Sequence, residues 1–419
     1  EWEEPQAVIG SYLHKHAYPD WFEQHRQRDR MLDQGYDHGA GGAVHCLQLR
    51  GEYVYAAEGP GGFQVYDAQA IGNKNFSQRL ITQPFSPLGH DTQVDTRNAT
   101  CVALPTTQPI HPDRNEGELM RETNMEQPFH PVYDYAGITD SEEGLILVDV
   151  NTLSDGNARN NFLERAVTFN PDGALDGARH IVFGGHFAYV TTADALVVVD
   201  LDDPLEPELA QRIPLEDPRA SVVQFRYLFV TTANGIEVID ITHPGDARHE
   251  RDASVELTDP RNLVVARTYA YVADGAGGLA IIDVTKPQEP AMHQRFTADG
   301  RISDARDVVV GASYASVFAY VADGNNGLQV VQLTSPRRTP GFYGYSPEPD
   351  PRWIAGYPMD RPATALSRPL ERDRAVDETG HQIAVFGRIG SRPFDQQGML
   401  ELYLDDDGAP WFVSDEPER

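Results

Sequence analysis

Residues 177–336 write the same pattern four times, and a chain that repeats itself this way has few folds open to it. The plainest copy is residues 259–290, DPRNLVVARTYAYVADGAGGLAIIDVTKPQEP. An apolar run (Leu263 to Val265) is followed by an alternating Tyr-Ala-Tyr-Val, a turn at Asp274-Gly275, a second apolar run (Leu279 to Ile282), then Asp283 and proline. Short β-branched and aromatic runs broken by Asp-Gly and Pro form strands joined by hairpins. Further copies start at Gly177, Asp217 and Asp304; a fainter one starts at Gly42, and a split one runs from Asn98 to Val150.

Tyr189, Phe229, Tyr271 and Tyr320 hold equivalent places, which sets a period of roughly 40 to 50 residues. An all-β pattern at that period predicts one β-propeller. Residues 42–336 carry the repeats, with an insertion over about 68–132 in blade two. Residues 1–41 form an N-terminal segment, 337–378 an extended arm, and 379–419 strands that pair with AVIGSYL (7–13) to close the disc. This arithmetic favours seven blades, with six as the alternative.

The block YAYVADGAGGLAIIDVTKP resembles the LVIVD repeat of exported bacterial and archaeal surface propellers. That resemblance implies a fold and an address, extracellular or cell-surface, and names no reaction. A chain opening at Glu1 without Met fits a product of signal cleavage. No stretch approaches the ~18 consecutive apolar residues of a membrane span.

The net charge is −30, and Lys15, Lys74 and Lys286 are the lysines among its 34 basic residues. Such a surface repels nucleic acid and suits a cationic partner or a saline medium. Cys46 and Cys101 sit near the starts of the first strands of blades one and two, where either a disulfide or two buried thiols is expected. Aligning GAVHCLQL with NATCVAL sets Cys46 one place beyond Cys101, and one residue of offset reverses a side chain.

Arg179, Arg219, Arg261 and Arg306 are equivalent, each just before a first strand, with Asp217, Asp259 and Asp304 two residues ahead of the last three. Val44 and Thr100 take this place in blades one and two. Two readings of the resulting partial ring at the channel mouth compete: pairing with aspartates that knits the blades, and bidentate capture of an anion. Glu58-Gly59, Asp274-Gly275 and Asp323-Gly324 read as turns, since one carboxylate per turn is too few for calcium.

His14, His16, His38 and His45 crowd the N-terminal part and are candidate ligands for calcium or zinc. No Cys-x-x-Cys-His, phosphate loop, dinucleotide fingerprint or nucleophile elbow is present, so no covalently bound cofactor and no catalytic residue are expected. The function that best fits is a non-catalytic scaffold for another protein. His90, His111 and His130 in the insertion, and Tyr343, Tyr345 and Trp353 in the arm, are its candidate contacts. The resemblance points to a multihaem c-type cytochrome of an electron-transfer assembly as that partner. A metal-dependent propeller hydrolase and an adhesin or carbohydrate-binding module are the alternatives.

Overall fold

The computed structural model describes residues 42–50, 53–67, 92–105, 130–153, 161–313 and 316–367, together with a backbone hairpin pairing Arg388–Ile389 with Arg392–Pro393. The described residues form six antiparallel four-stranded sheets arranged as propeller blades. Blade one is Cys46–Arg50, Tyr53–Ala57, Phe63–Asp67 and Gln93–Val94; blade two is Ala99–Ala103, Tyr135–Asp140, Gly144–Asp149 and Glu164–Phe169. Blade three is His180–Gly184, Phe187–Thr191, Ala195–Asp200 and Glu208–Pro214; blade four is Ser221–Gln224, Tyr227–Thr231, Gly235–Asp240 and Arg248–Glu256. Blade five is Leu263–Ala266, Tyr269–Ala273, Leu279–Asp283 and Ala291–Phe296; blade six is Asp307–Ser313, Ser316–Ala322, Leu328–Gln332 and Arg352–Tyr357.

The two-residue side-chain period explains why these strands read as nearly continuous apolar runs. In blade five, Ala270, Val272, Ala280 and Ile282 pack against blade four, where they meet Val222 and Phe229. Their neighbours Tyr269, Tyr271, Leu279 and Ile281 pack against Val308, Val310 and Val321 of blade six. Both faces are therefore buried, and each fully buried large side chain contributes about 1.5–3 kcal/mol. Only the outermost strands show a wet face, as in Arg248–Glu256. A bulge breaks the register of the third and fourth strands at the same place in blades two to six, which twists the free edge away from further pairing.

Six is the smaller of the two expected blade counts. The strand at 7–13 and nearly all of 379–419 lie outside the described residues. Among the described residues, 363–367 lie between blade six and blade one and touch both. Ala363 bridges Gly324 as Ala99 bridges Gly59, and Thr364 Oγ1 donates to Val44 O (2.8 Å) as Thr100 Oγ1 donates to Ala178 O (2.9 Å). Leu49 N then donates to Ser367 Oγ (2.6 Å) and Leu366 N to Asp307 Oδ2 (2.6 Å).

Two boundaries need correction. The insertion is not continuous over 68–132: Gln93–Val94 completes blade one and Ala99–Ala103 opens blade two. The arm is not one extended segment over 337–378: 337–351 is a surface loop, Arg352–Tyr357 is the fourth strand of blade six, and 363–367 lies between blades. No helix among the described residues is long and apolar enough to cross a membrane.

Candidate functional site

The start of each first strand meets the end of the second at one mouth of the channel, and backbone pairing fixes what stands there. Arg179, Arg219, Arg261 and Arg306 each donate their N–H to the second strand of their own blade, at Thr191, Thr231, Ala273 and Ala322 (2.7–2.9 Å). His45 N does the same to Ala57 (2.9 Å). Blade one therefore carries His45 at this place, not Val44 as alignment of the apolar runs suggested.

The guanidinium groups and aspartates alternate from blade to blade. Arg179 pairs with Asp217; Arg219 takes Asp217 through Nε (3.2 Å) and Asp259 through a terminal nitrogen (2.6 Å). Arg261 spans Asp259 (2.9 Å) and Asp304 (2.8 Å), and Arg306 closes the arc on Asp304 (2.8 Å). Burial works to raise the Asp217 and Asp304 carboxyls, but hydrogen bonds from their arginines overcome it and hold both below the usual carboxylate range. The groups are about one-third exposed, so each pair is screened and individually modest. Arg219 and Arg261 each already hold two carboxylates, which neutralises the site and disfavours capture of an anion. The arc knits blades three to six together.

Behind it lies a tier of carboxylates; Asp274-Gly275 and Asp323-Gly324 are the turns expected, and their aspartates have a second role. The Asp274 side chain is fully buried and accepts the N–H groups of Thr258 (2.8 Å) and Asp259 (2.7 Å) as well as Arg295. Asp323 does the same for Ser303 (3.1 Å) and Asp304 (2.6 Å), and Asp140 for Asn98 (2.5 Å). These carboxylates set the linkers that carry the arc. Gly324 has φ +47°, and a Cβ there would overlap the Asp304 carboxylate, so glycine keeps the arc and the turn compatible.

One residue further into the first strands, Cys46, Cys101, His180 and Asp307 face Ala57, Thr139, Thr191 and Ala322 in the same register. The offset expected between the cysteines is absent, and they are joined as a disulfide with Cα atoms 4.7 Å apart. His180 Nδ1 accepts from Ser221 N (3.3 Å) in blade four, and burial pushes its pKa down to about 4, so the ring is neutral. Its side chain is partly open to the channel yet surrounded by protein, which is why solvation is poor there.

Burial also pushes the Asp307 carboxyl up to about 7, against hydrogen bonds from Leu366, Val308 and Asn262 that lower it. Between about pH 4 and pH 7 the folded protein therefore keeps a proton that the unfolded chain releases. Stability from this group is full below that window and falls as pH rises through it. Asp307→Asn should flatten the slope, gaining on the wild type at pH 8 relative to pH 4 in thermal melts; parallel profiles across that range would refute this.

At the opposite mouth, His130, His186 and Asp202 bring three ligand atoms within 4.8 Å of one another. No local motif announces this cluster, because its members are far apart in sequence. His130 is fully buried, not a partner contact: its Nδ1 accepts from Val132 N (3.2 Å) as the cap of Pro131–Asp134, and its Nε2 faces Asp202 Oδ1 (3.3 Å). A ring accepting at Nδ1 carries its proton on Nε2, so that nitrogen is a donor to Asp202 and has no lone pair for a metal. His45 is exposed and joins no cluster of three such side chains among the described residues. His14, His16, His38, His90 and His111 lie outside the described residues.

Trp353 is likewise held inside the fold. Its Nε1 donates to Gln329 Oε1 (2.8 Å) and its ring carries the Arg301 guanidinium at 4.8 Å. Tyr343 and Tyr345 are instead displayed, 92% and 68% exposed.

Residues 177–213, 259–298 and 303–336 match the family model of the LVIVD repeat, coinciding with blades three, five and six. The chain is a β-propeller that carries LVIVD repeats in these three segments. The matched segments include Arg179, Arg261 and Arg306 with Asp259 and Asp304, whereas Asp217 and Arg219 of the same arc lie outside them. No curated protein matches the chain. Among solved structures it is similar to a Lactobacillus plantarum protein at 11% identity and TM-score 0.51, covering 78% of this chain and 88% of that one. It also matches a functionally unknown Desulfotomaculum acetoxidans protein (9%, TM-score 0.47, 76% and 83%) and the β-propeller domain of Myceliophteria thermophila Cps50 (Swd1) (12%, TM-score 0.46, 78% and 90%). At these identities the likeness speaks to the fold alone.

Proposed function

We propose that this LVIVD-repeat propeller is a non-catalytic, exported scaffold that holds a partner protein, and that the partner is a multihaem c-type cytochrome. The observation that carries the scaffold reading is the pair of displayed tyrosines on blade six, since rigid, exposed aromatic side chains are the usual anchors of protein interfaces. The Cys46–Cys101 bond supports an oxidising compartment, and the net charge of −30 favours a basic partner. The cytochrome follows from the repeat family's resemblance. Gentle native purification followed by visible absorption and a haem-stained gel tests it. A stoichiometric haem-bearing band is expected; a lone, colourless protein would count against both partner and scaffold. A carbohydrate-binding module is the second reading, because the same tyrosines offer stacking faces for sugars, and a glycan array separates the two.

A further inference from the structure

The connection between the third and fourth strands of blade six occupies 333–351, more than twice the length of its counterparts at 201–207, 241–247 and 284–290 in blades three to five. Blade six pairs its fourth strand as its neighbours do, so the additional residues are not needed to build the sheet. They are nevertheless tied down throughout. Asp350 N donates to Leu333 O (2.7 Å), Arg338 Nε to Asp350 Oδ2 (2.9 Å), Ser335 N to Thr339 Oγ1 (2.9 Å) and Gly344 N to Gly341 O (2.7 Å). Two further contacts fasten the loop across blade five: Ser346 Oγ to Thr268 Oγ1 (2.5 Å) and Pro349 O with His293 Nε2 (3.3 Å).

This strap presents Tyr343 and Tyr345, with the Phe342 ring set edge-on to Tyr343 at 5.2 Å. Tyrosines held on a fastened loop lose little freedom on binding. Carboxylates stand at the foot of the strap: Glu348 is exposed, and it and Asp283 both lie near enough to the Tyr269 hydroxyl to raise its pKa, after burial as the larger cause. Exposed aromatic faces on a loop that also carries the exposed Glu348, in a chain of net charge −30, match a planar cation.

We propose that the strap is the docking site for a basic, arginine-bearing segment of a partner protein, its guanidinium groups stacking on Tyr343 and Tyr345 and pairing with Glu348 on the same loop. This rests on the scaffold reading and names its place and chemistry. The test is binding of octa-arginine, followed by fluorescence anisotropy at physiological salt, to the full chain and three variants. Tyr343→Ala/Tyr345→Ala keeps the net charge and should weaken binding about tenfold. Glu348→Gln should weaken it several-fold, and Glu208→Gln, the same charge change on the outer strand of blade three, should leave it unchanged.

Equal binding by the tyrosine variant, or equal losses from Glu348→Gln and Glu208→Gln, would overturn the proposal in favour of diffuse attraction. Loss of glycan binding without loss of peptide binding would overturn it in favour of sugar. If the tyrosine variant melts earlier than wild type, the single variants Tyr343→Ala and Tyr345→Ala take its place, and each should weaken binding several-fold; binding equal to wild type in both would overturn the proposal. Co-purification separates the two levels of the argument. A partner retained by the tyrosine variant sinks the strap and spares the scaffold, whereas peptide discrimination with no partner on the wild type sinks the scaffold and spares the strap.

Discussion

Replacing Cys46 and Cys101 together by alanine should lower the free energy of unfolding by about 2–4 kcal/mol. The bond closes a loop with a sequence separation of 55 residues. In the chain-entropy description a loop of that size is worth about 4 kcal/mol, and measured losses usually fall below such values. The bond also joins the first strands of two neighbouring blades, so its loss loosens an inter-blade seam. Urea unfolding with and without reductant gives the comparison: the wild-type midpoint should drop on reduction while the double variant stays put. A wild-type midpoint indifferent to reductant would show that the bond contributes nothing.

Removing the Asp274 carboxylate should also be damaging, costing about 1–3 kcal/mol in Asp274→Ala, chiefly through the backbone donors it leaves unmet. The variant leaves the N–H groups of Thr258 and Asp259 without this acceptor and takes one of several partners from the half-exposed Arg295 guanidinium. Since one of those N–H groups belongs to Asp259, the damage reaches the arc through the backbone of its central carboxylate. Asp274→Asn keeps one acceptor and should fall in between. Asp246→Ala, which breaks an exposed pair with Arg248, should leave the midpoint where it was. Equal effects of the buried and exposed substitutions would refute the assignment of Asp274 as a linker anchor.

The repeating apolar runs made the blades legible in sequence because both faces of each inner strand are buried, and burial leaves a periodic record. Arg219, Arg261 and their aspartates were legible too: Asp-Pro-Arg brings its own counter-ion, and the arc uses it. The register of blade one was not. Cys46, Gln48 and Arg50 alternate with Leu47 and Leu49, a weak contrast that leaves the sliding of one strand along another undecided until hydrogen bonds decide it. In blade two the register also shifts between Ala99 and Cys101, and nothing in the residue types marks that shift. Asp274 and Asp323 are turn formers as read, but their inward anchoring was not legible, because the same residue type serves a solvated turn and a buried acceptor. Tyr345 and Trp353 looked alike as aromatic residues of an irregular stretch, yet one is displayed and the other is packed beneath Arg301. Local sequence carries composition well and orientation poorly.

The placing of residues 363–367 between blades six and one has a bearing on how the protein is made. Its bonds to Val44 and Leu49 join positions 320 and 318 residues apart, whereas the pairings within a blade are between near neighbours in the chain. During synthesis from the N-terminus, blades can stack one by one into an open arc whose two end faces stay wet until residue 367 has appeared. Closing that arc is the most non-local step in the described fold and the one expected to be slow, with both apolar end faces open to wrong partners in the meantime. The Cys46–Cys101 bond needs only the first quarter of the chain. It can fasten blades one and two at the start of biogenesis and so hold one wall of the gap in place for the segment that arrives last.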